Sequence, residues 1–142
     1  MRDAEKILME IVTPEGVAVR EEVDEVEAPG ILGYFGVLPG HTPFMSQLKI
    51  GNLRYRIGNQ NHYVAVTWGF AEVLPRKVTI LVQTAERAED IDLERAETAR
   101  QRAEQRLKEF GVAYDLEHAR ESFERAQARI EAAKRQQQAR RH

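Results

Sequence analysis

The sequence contains no cysteine. That excludes disulfides, thiol nucleophiles and thiolate zinc sites, and it suits a reducing compartment. Long apolar runs are also missing: no stretch approaches the roughly 20 residues needed to cross a bilayer. The start, Met1-Arg2-Asp3-Ala4-Glu5-Lys6, has no apolar segment behind it, so no signal peptide is expected. The chain is expected to be soluble, or peripheral to a membrane without inserting into it. Neither sign of charge dominates. A formal net charge of -2 argues against a sequence-independent nucleic-acid binder. What is present, 42% hydrophobic and 31% charged residues in a chain of 142, suits one ordinary domain or two small ones.

The remaining scarcities are unevenly spread. From Asp92 onward there is no proline and only one glycine, Gly111, while all five prolines and the single tryptophan lie before it. The first part carries nine basic and thirteen acidic residues and the second twelve and ten, so their charges are about -4 and +2. The junction falls near Glu86–Ile91. The expected fold is therefore α+β, with an antiparallel β-sandwich or barrel over residues 1–87 and a two-helix antiparallel hairpin over residues 88–142.

The first part reads as strands. Ile7–Thr13 is a strand-like run stopped by Pro14-Glu15-Gly16, and Val17, Val19, Val23 and Val26 recur up to Pro29-Gly30. Leu53–Ile57 alternates apolar and polar, turns at Gly58-Asn59-Gln60-Asn61 and continues in His62–Val66. Gly69–Leu74 and Val78–Val82 follow, separated by Pro75-Arg76-Lys77. Short strands at this spacing, rich in β-branched residues, need two sheets or a closed one to bury them.

The second part reads as helices. Ala96, Ala99, Ala103, Leu107 and Phe110 trace one helical stripe, and Leu116, Ala119, Phe123, Ala126, Ile130 and Ala133 trace another. Gly111 suits a helix end and Asp115 the N-cap of the next helix, which gives a hairpin. The tail Arg135–His142 is polar and expected to fray. The seam is mostly alanine. A fully buried Leu, Ile or Phe contributes roughly 1.5–3 kcal/mol and an alanine much less, so the hairpin is strongly helical but weakly committed to one arrangement.

Catalytic constellations are not in sight. Gly30, Gly33, Gly36 and Gly40 are spaced like a phosphate cradle, yet no Lys-Ser/Thr follows and the segment leads into Thr42-Pro43 rather than a helix. They are read instead as turn glycines with positive φ. His41 has no Ser or Asp companions, and His62, His118 and His142 are scattered, so it reads as a turn or interface histidine, and no metal site is expected.

The segment from Pro29 to Pro43 (Pro-Gly-Ile-Leu-Gly-Tyr-Phe-Gly-Val-Leu-Pro-Gly-His-Thr-Pro) resembles the signature loop of epsilon subunits of F-type ATP synthases. Leu48-Lys49-Ile50-Gly51, Gly69–Val73, Thr84–Ala88 and Ile91-Asp92-Leu93-Glu94-Arg95-Ala96 extend the resemblance in the family's order and spacing. It implies a non-catalytic central-stalk subunit of a proton-translocating machine, coupling the c-ring to the catalytic head. Its β-domain would bind the gamma subunit and rest on the c-ring, through the region of Tyr34, Phe35, Leu38, His41 and Thr42. Tyr34 and Phe35 would suit that contact if exposed, and would suit a core equally well. Tyr34 stands near a position that is polar or acidic in some relatives, a departure that bears on the ring contact. The implied location is the cytoplasmic face of the bacterial inner membrane, as a peripheral part of the complex.

The same resemblance implies a regulatory role for the hairpin. Family members that bind ATP resemble Ile/Leu-Asp-x-x-Arg-Ala, matched by Ile91, Asp92, Arg95 and Ala96. Arg95 and Arg102 share a helix face, as do Arg125 and Arg129, and a folded hairpin would gather these guanidinium groups around a polyphosphate. By analogy with ATP-binding relatives, Glu86 and Asp92 would accept from the adenine amino group or the ribose hydroxyls. No cofactor is required; ATP, with or without magnesium, would be regulatory. The opposing reading is a solvated Arg/Glu surface. In an extended state Arg120, Arg125, Arg129, Lys134 and Arg135 would face acidic loops of the alpha/beta hexamer and slow hydrolysis. The alternatives are a free-standing nucleotide sensor or a coiled-coil regulator, although the latter would carry paired acidic residues at the hairpin tip.

Overall fold

The computed structural model describes residues 5–109 and 113–140, with the side chains of 109 and 113–116 left aside. Ten strands run in chain order: β1 (Ile7–Thr13), β2 (Gly16–Val23), β3 (Glu25–Gly30), β4 (Gly33–Val37), β5 (Phe44–Leu48), β6 (Gly51–Ile57), β7 (Gln60–Val66), β8 (Gly69–Val73), β9 (Lys77–Val82) and β10 (Ala85–Arg87). A 3-10 turn at Ala88–Asp90 leads to helices α1 (Leu93–Glu109) and α2 (Ala113–Arg140).

The strands form a nearly closed sandwich in the order β10-β7-β6-β3-β5-β8-β9-β1-β2, with β4 paired to β3. The corner is β3. Its Glu25–Glu27 end pairs with Arg54–Arg56 of β6, whereas Gly30 sits opposite Leu48 of β5. Every ladder but one is antiparallel; β1 lies parallel to β9, Leu8 beside Lys77 and Val12 beside Leu81. Alternation explains the interior. Ile7, Met9 and Ile11 of β1 are fully buried and meet Val26, Val37, Leu53, Val64, Val66, Val78 and Ile80 in one core.

Three strands lie in segments not read as strand from the sequence: β4, where the glycines had suggested turns, β5 and the short β10. The signature segment is a β-hairpin, its tip Ile31-Leu32 closed by Gly33 at φ 135°. Of its four glycines, Gly33 and Gly40 take positive φ; Gly30 and Gly36 do not. Gly30 is needed for space, since a Cβ there would meet the Gly33 carbonyl at 2.7 Å.

The helix seam follows the expected stripes. Ala96 and Ala103 of α1 and Ala119, Ala126, Ile130 and Ala133 of α2 are buried. The turn Phe110-Gly111-Val112 lies outside the described residues. Two boundaries differ from expectation. α2 is already helical at Ala113, so Asp115 is in its first turn rather than before it, and the helix continues through Arg140 instead of fraying from Arg135.

α2 also has a second inward face. Ala128 and Ala132 pack on Ala65 of β7 and Ala88, flanked by Ile50, Tyr63 and Ile91. Small side chains on both sides let the helix lie close to the strand. Among the described residues no helix is long and apolar enough to cross a membrane.

Close packing yields a stability prediction. A Cβ at Gly69 would lie 1.7 Å from the Leu81 carbonyl oxygen, a backbone atom that moves only with β9. Gly69→Ala is expected to lower unfolding free energy by about 1–3 kcal/mol. Gly36→Ala, whose added methyl would meet nothing nearer than 4.0 Å, should stay within about 0.5 kcal/mol. Denaturant unfolding of both variants makes the comparison.

Candidate functional site

The end of β10, the start of α1 and the middle of α2 converge beside β7. Asp92 begins α1: its Oδ1 accepts from the Arg95 N–H at 3.1 Å and its carbonyl from the Ala96 N–H at 3.0 Å. It is thus the N-cap, and the exposed Arg95 and Arg102 project from the turns that follow. Across from them, Arg129 of α2 donates to both carboxylate oxygens of Glu86 on β10, at 2.7 and 3.4 Å. This bidentate pair ties the second helix to the sheet.

Two cavities share Arg129. An open groove of about 510 Å³ is lined by Asp92, Glu94, Arg95, Thr98, Ala99, Arg102 and Arg129. Its walls are polar, with three guanidinium groups. A narrower, mostly apolar cavity of about 240 Å³ lies under α2, between Ala65–Thr67, Thr84–Glu86 and Arg125, Ala128 and Arg129. Arg125 Nη2 donates to Ser122 Oγ at 3.3 Å. Of the residues singled out in the sequence, Asp92, Arg95, Arg102 and Arg129 therefore line one cavity, while Glu86, Arg125 and Arg129 line the other. Ile91 packs in the alanine cluster beneath α2, and Ala96 is fully buried. The arrangement can receive an anion in the groove; Arg129 would have to divide itself between that anion and Glu86. Arg120, Lys134 and Arg135 are exposed on α2.

The second region is the β4 hairpin and the loop after it. Neighbours on a strand face opposite ways, and Tyr34 and Phe35 do so. Tyr34 is 49% exposed, and its hydroxyl accepts from the Asn52 N–H at 3.1 Å. Phe35 turns onto the core and meets Phe44 edge to face at 5.2 Å, and the His41 ring lies 6.1 Å beyond Phe44. His41 Nδ1 donates to the carbonyl of Thr42 at 2.6 Å, a contact within its own loop. Leu38 and Thr42 are exposed next to it.

A third surface was not anticipated from the sequence. Val17 sits near Val12 across the β1–β2 pairing, Val12 beside Leu81, and Leu81 opposite Phe70. Phe70 and Leu81 are 51% and 50% exposed. With Trp68 and Pro14 they border an open groove of about 350 Å³ on the outer face of the β8–β9–β1 sheet. The sign in the sequence was Phe70 and Leu81 themselves, apolar residues on the parity that faces away from the core.

Known proteins share this organisation. The family model for the β-sandwich domain of the ATP synthase delta/epsilon chain matches residues 6–88, and that for its long α-helix domain matches residues 89–134. The ATP synthase epsilon chain of Syntrophobacter fumaroxidans is 53% identical over 130 residues, 92% of this chain and 97% of that one. The epsilon chain of Nitratidesulfovibrio vulgaris is 51% identical over 122 residues, covering 86% and 91%. Among solved structures, a chain of the Euglena gracilis mitochondrial ATP synthase superposes with a TM-score of 0.78 at 24% identity, over 90% of this chain and 81% of that one. With both domains matched in order and half the residues identical over most of the length, this chain belongs to the epsilon-chain family of ATP synthases.

Proposed function

We propose that this chain is the central-stalk subunit that joins the c-ring to the catalytic head of a proton-translocating F-type ATP synthase through gamma. It would sit at the cytoplasmic face of the bacterial inner membrane, and its helical hairpin would regulate ATP hydrolysis. The observation that carries the docking role is the apolar stripe Val17–Val12–Leu81–Phe70 with Trp68, on the sheet that α2 leaves uncovered. Large apolar side chains contiguous across several strands favour a protein partner. Tyr34, Leu38, His41 and Thr42 present a second, mixed surface that suits the ring.

Regulation draws support from the way α2 is held. Its floor is alanine and its strongest visible tie is the ion pair between Arg129 and Glu86, so docked and released hairpins differ little in buried apolar area. Nucleotide bound in the arginine groove would favour the docked form through its differential affinity for that form. Released, Arg120, Arg125, Arg129, Lys134 and Arg135 would be available to acidic loops of the alpha/beta hexamer, where charge pairs set register.

Three experiments test these roles. Phe70→Arg is expected to weaken co-purification with gamma at least about tenfold, as loss of a central anchor does, while the domain stays folded; undiminished capture would move the interface elsewhere. Calorimetry of the full chain should show saturable ATP binding that falls at least about tenfold in the Arg95→Ala, Arg102→Ala double variant, and no binding at millimolar ATP would leave the groove to other contacts. Removing residues 92–142 should preserve assembly and raise hydrolysis by the complex; unaltered hydrolysis would withdraw inhibition as a role.

A further inference from the structure

Only three polar side chains are buried among the described residues, Asn52, Thr67 and Gln136, and two of them lie between α2 and the sheet. Gln136 is 7% exposed, although its neighbours Gln137 and Gln138 are exposed. Its Oε1 accepts from the Tyr63 N–H at 3.0 Å, and its Nε2 donates to the Asn61 carbonyl at 3.1 Å. β10 covers β7 only at Val64–Val66 and stops at Arg87. A residue in a parallel strand beside His62 would accept from the N–H that follows and donate to the carbonyl that precedes it. The carboxamide of Gln136 makes both bonds, so a side chain continues the sheet where β10 ends. Five residues earlier on α2, Glu131 accepts from Asn52 Nδ2 at 3.2 Å.

We infer that Gln136 is a register key: it fixes where α2 lies along the β-domain and holds the docked state through hydrogen bonding rather than apolar burial. The alanine floor fixes register only weakly, because its two inward alanines, Ala128 and Ala132, lie one turn apart on α2. A slide of four residues, about one turn, still sets Ala128 or Ala132 at one of the two floor positions, whereas a slide of three sets only charged residues there. Slides of three or four residues would bring Ala132, Ala133, Ala139 or Arg140 to the edge of β7. None of these both donates and accepts, and Arg140 only donates. Each misregistered position therefore leaves a peptide group at Asn61 or Tyr63 without its partner. A fully undocked helix is different, for water then reaches both groups. The key thus penalises partial slippage while allowing complete release, which makes docking a two-state event.

The test is amide hydrogen exchange on the full chain in Gln136→Met, which keeps side-chain length and removes both hydrogen bonds. Gln137→Met is the matched control one residue away. The expected result is exchange at Tyr63 at least about tenfold faster in Gln136→Met, with the amides of Ile11 and Ile80 in the β1–β9 pair unchanged and Tyr63 unaffected in the control. Three outcomes would overturn the inference: Tyr63 as protected in Gln136→Met as in the parent chain, equal loss of protection in Gln137→Met, or matching acceleration at Ile11 and Ile80. The last would mean that Gln136 supports the fold as a whole and not the position of α2.

Discussion

Side-chain size along the contact of α2 with β7 governs much of what the rest of the molecule can do. Ala65, Ala128 and Ala132 let the helix approach the strand closely. At that separation Arg129 reaches Glu86, Glu131 reaches Asn52 and Gln136 reaches the backbone of β7. Larger residues at those three positions would lift the helix off the sheet and part all of these contacts together. Closeness also gives the narrow cavity its walls, since the gap under Arg125 and Ala128 exists only while the helix is seated.

The two halves of the chain are consequently stabilised by different physics. The sandwich buries Ile, Leu, Met and Val side chains from nearly every strand, each worth roughly 1.5–3 kcal/mol. Such a core leaves no strand free to detach alone. The docked helix offers mostly methyl groups, and its specificity lies in the Arg129–Glu86 ion pair and in the amides of Asn52, which meets Glu131, and Gln136. Polar contacts of this kind are exchanged for water at small net cost, so the helix can be positioned accurately without being held strongly. That contrast, a permanent base and a lightly held lever, is what the proposed regulatory role requires.

How much of this could be read beforehand depended on which force was acting. Ile7–Thr13 and Leu53–Ile57 showed their strands because alternation reports burial directly, and the Ala96–Ala103 and Ala126–Ile130–Ala133 stripes did the same for the helix seam. The signature segment concealed β4, because its glycines and prolines suggest turns although Val26 pairs with Val37 in a hairpin, and β5 was hidden because the pairing of Phe44 with Val73 is decided by a distant strand. The parallel place of β1 beside β9 was hidden for the same reason. In the candidate site, Asp92 and Arg95 could be named from a motif, Arg102, Arg125 and Arg129 from helical spacing, and Glu86 by analogy with relatives. That Arg129 is engaged by Glu86, and Asp92 by the first turn of α1, follows only from how β10, α1 and α2 meet in the fold. Gln136 gave no sign at all: within a run of three glutamines only the early end of β10 makes one of them interior.

The parallel pairing of β1 with β9 sets an order of events during synthesis. Leu8 finds its partner beside Lys77, so β1 waits through the synthesis of most of the β-domain, joined only to β2 in a hairpin that is marginal alone. Contacts of such long sequence separation make the sandwich the slow part of folding. The helices follow the strands, and they are local structures that form quickly. By the time Gln136 emerges, β6 and β7 have long been available. A helix with few large side chains is therefore never asked to nucleate anything; it arrives at a floor already laid.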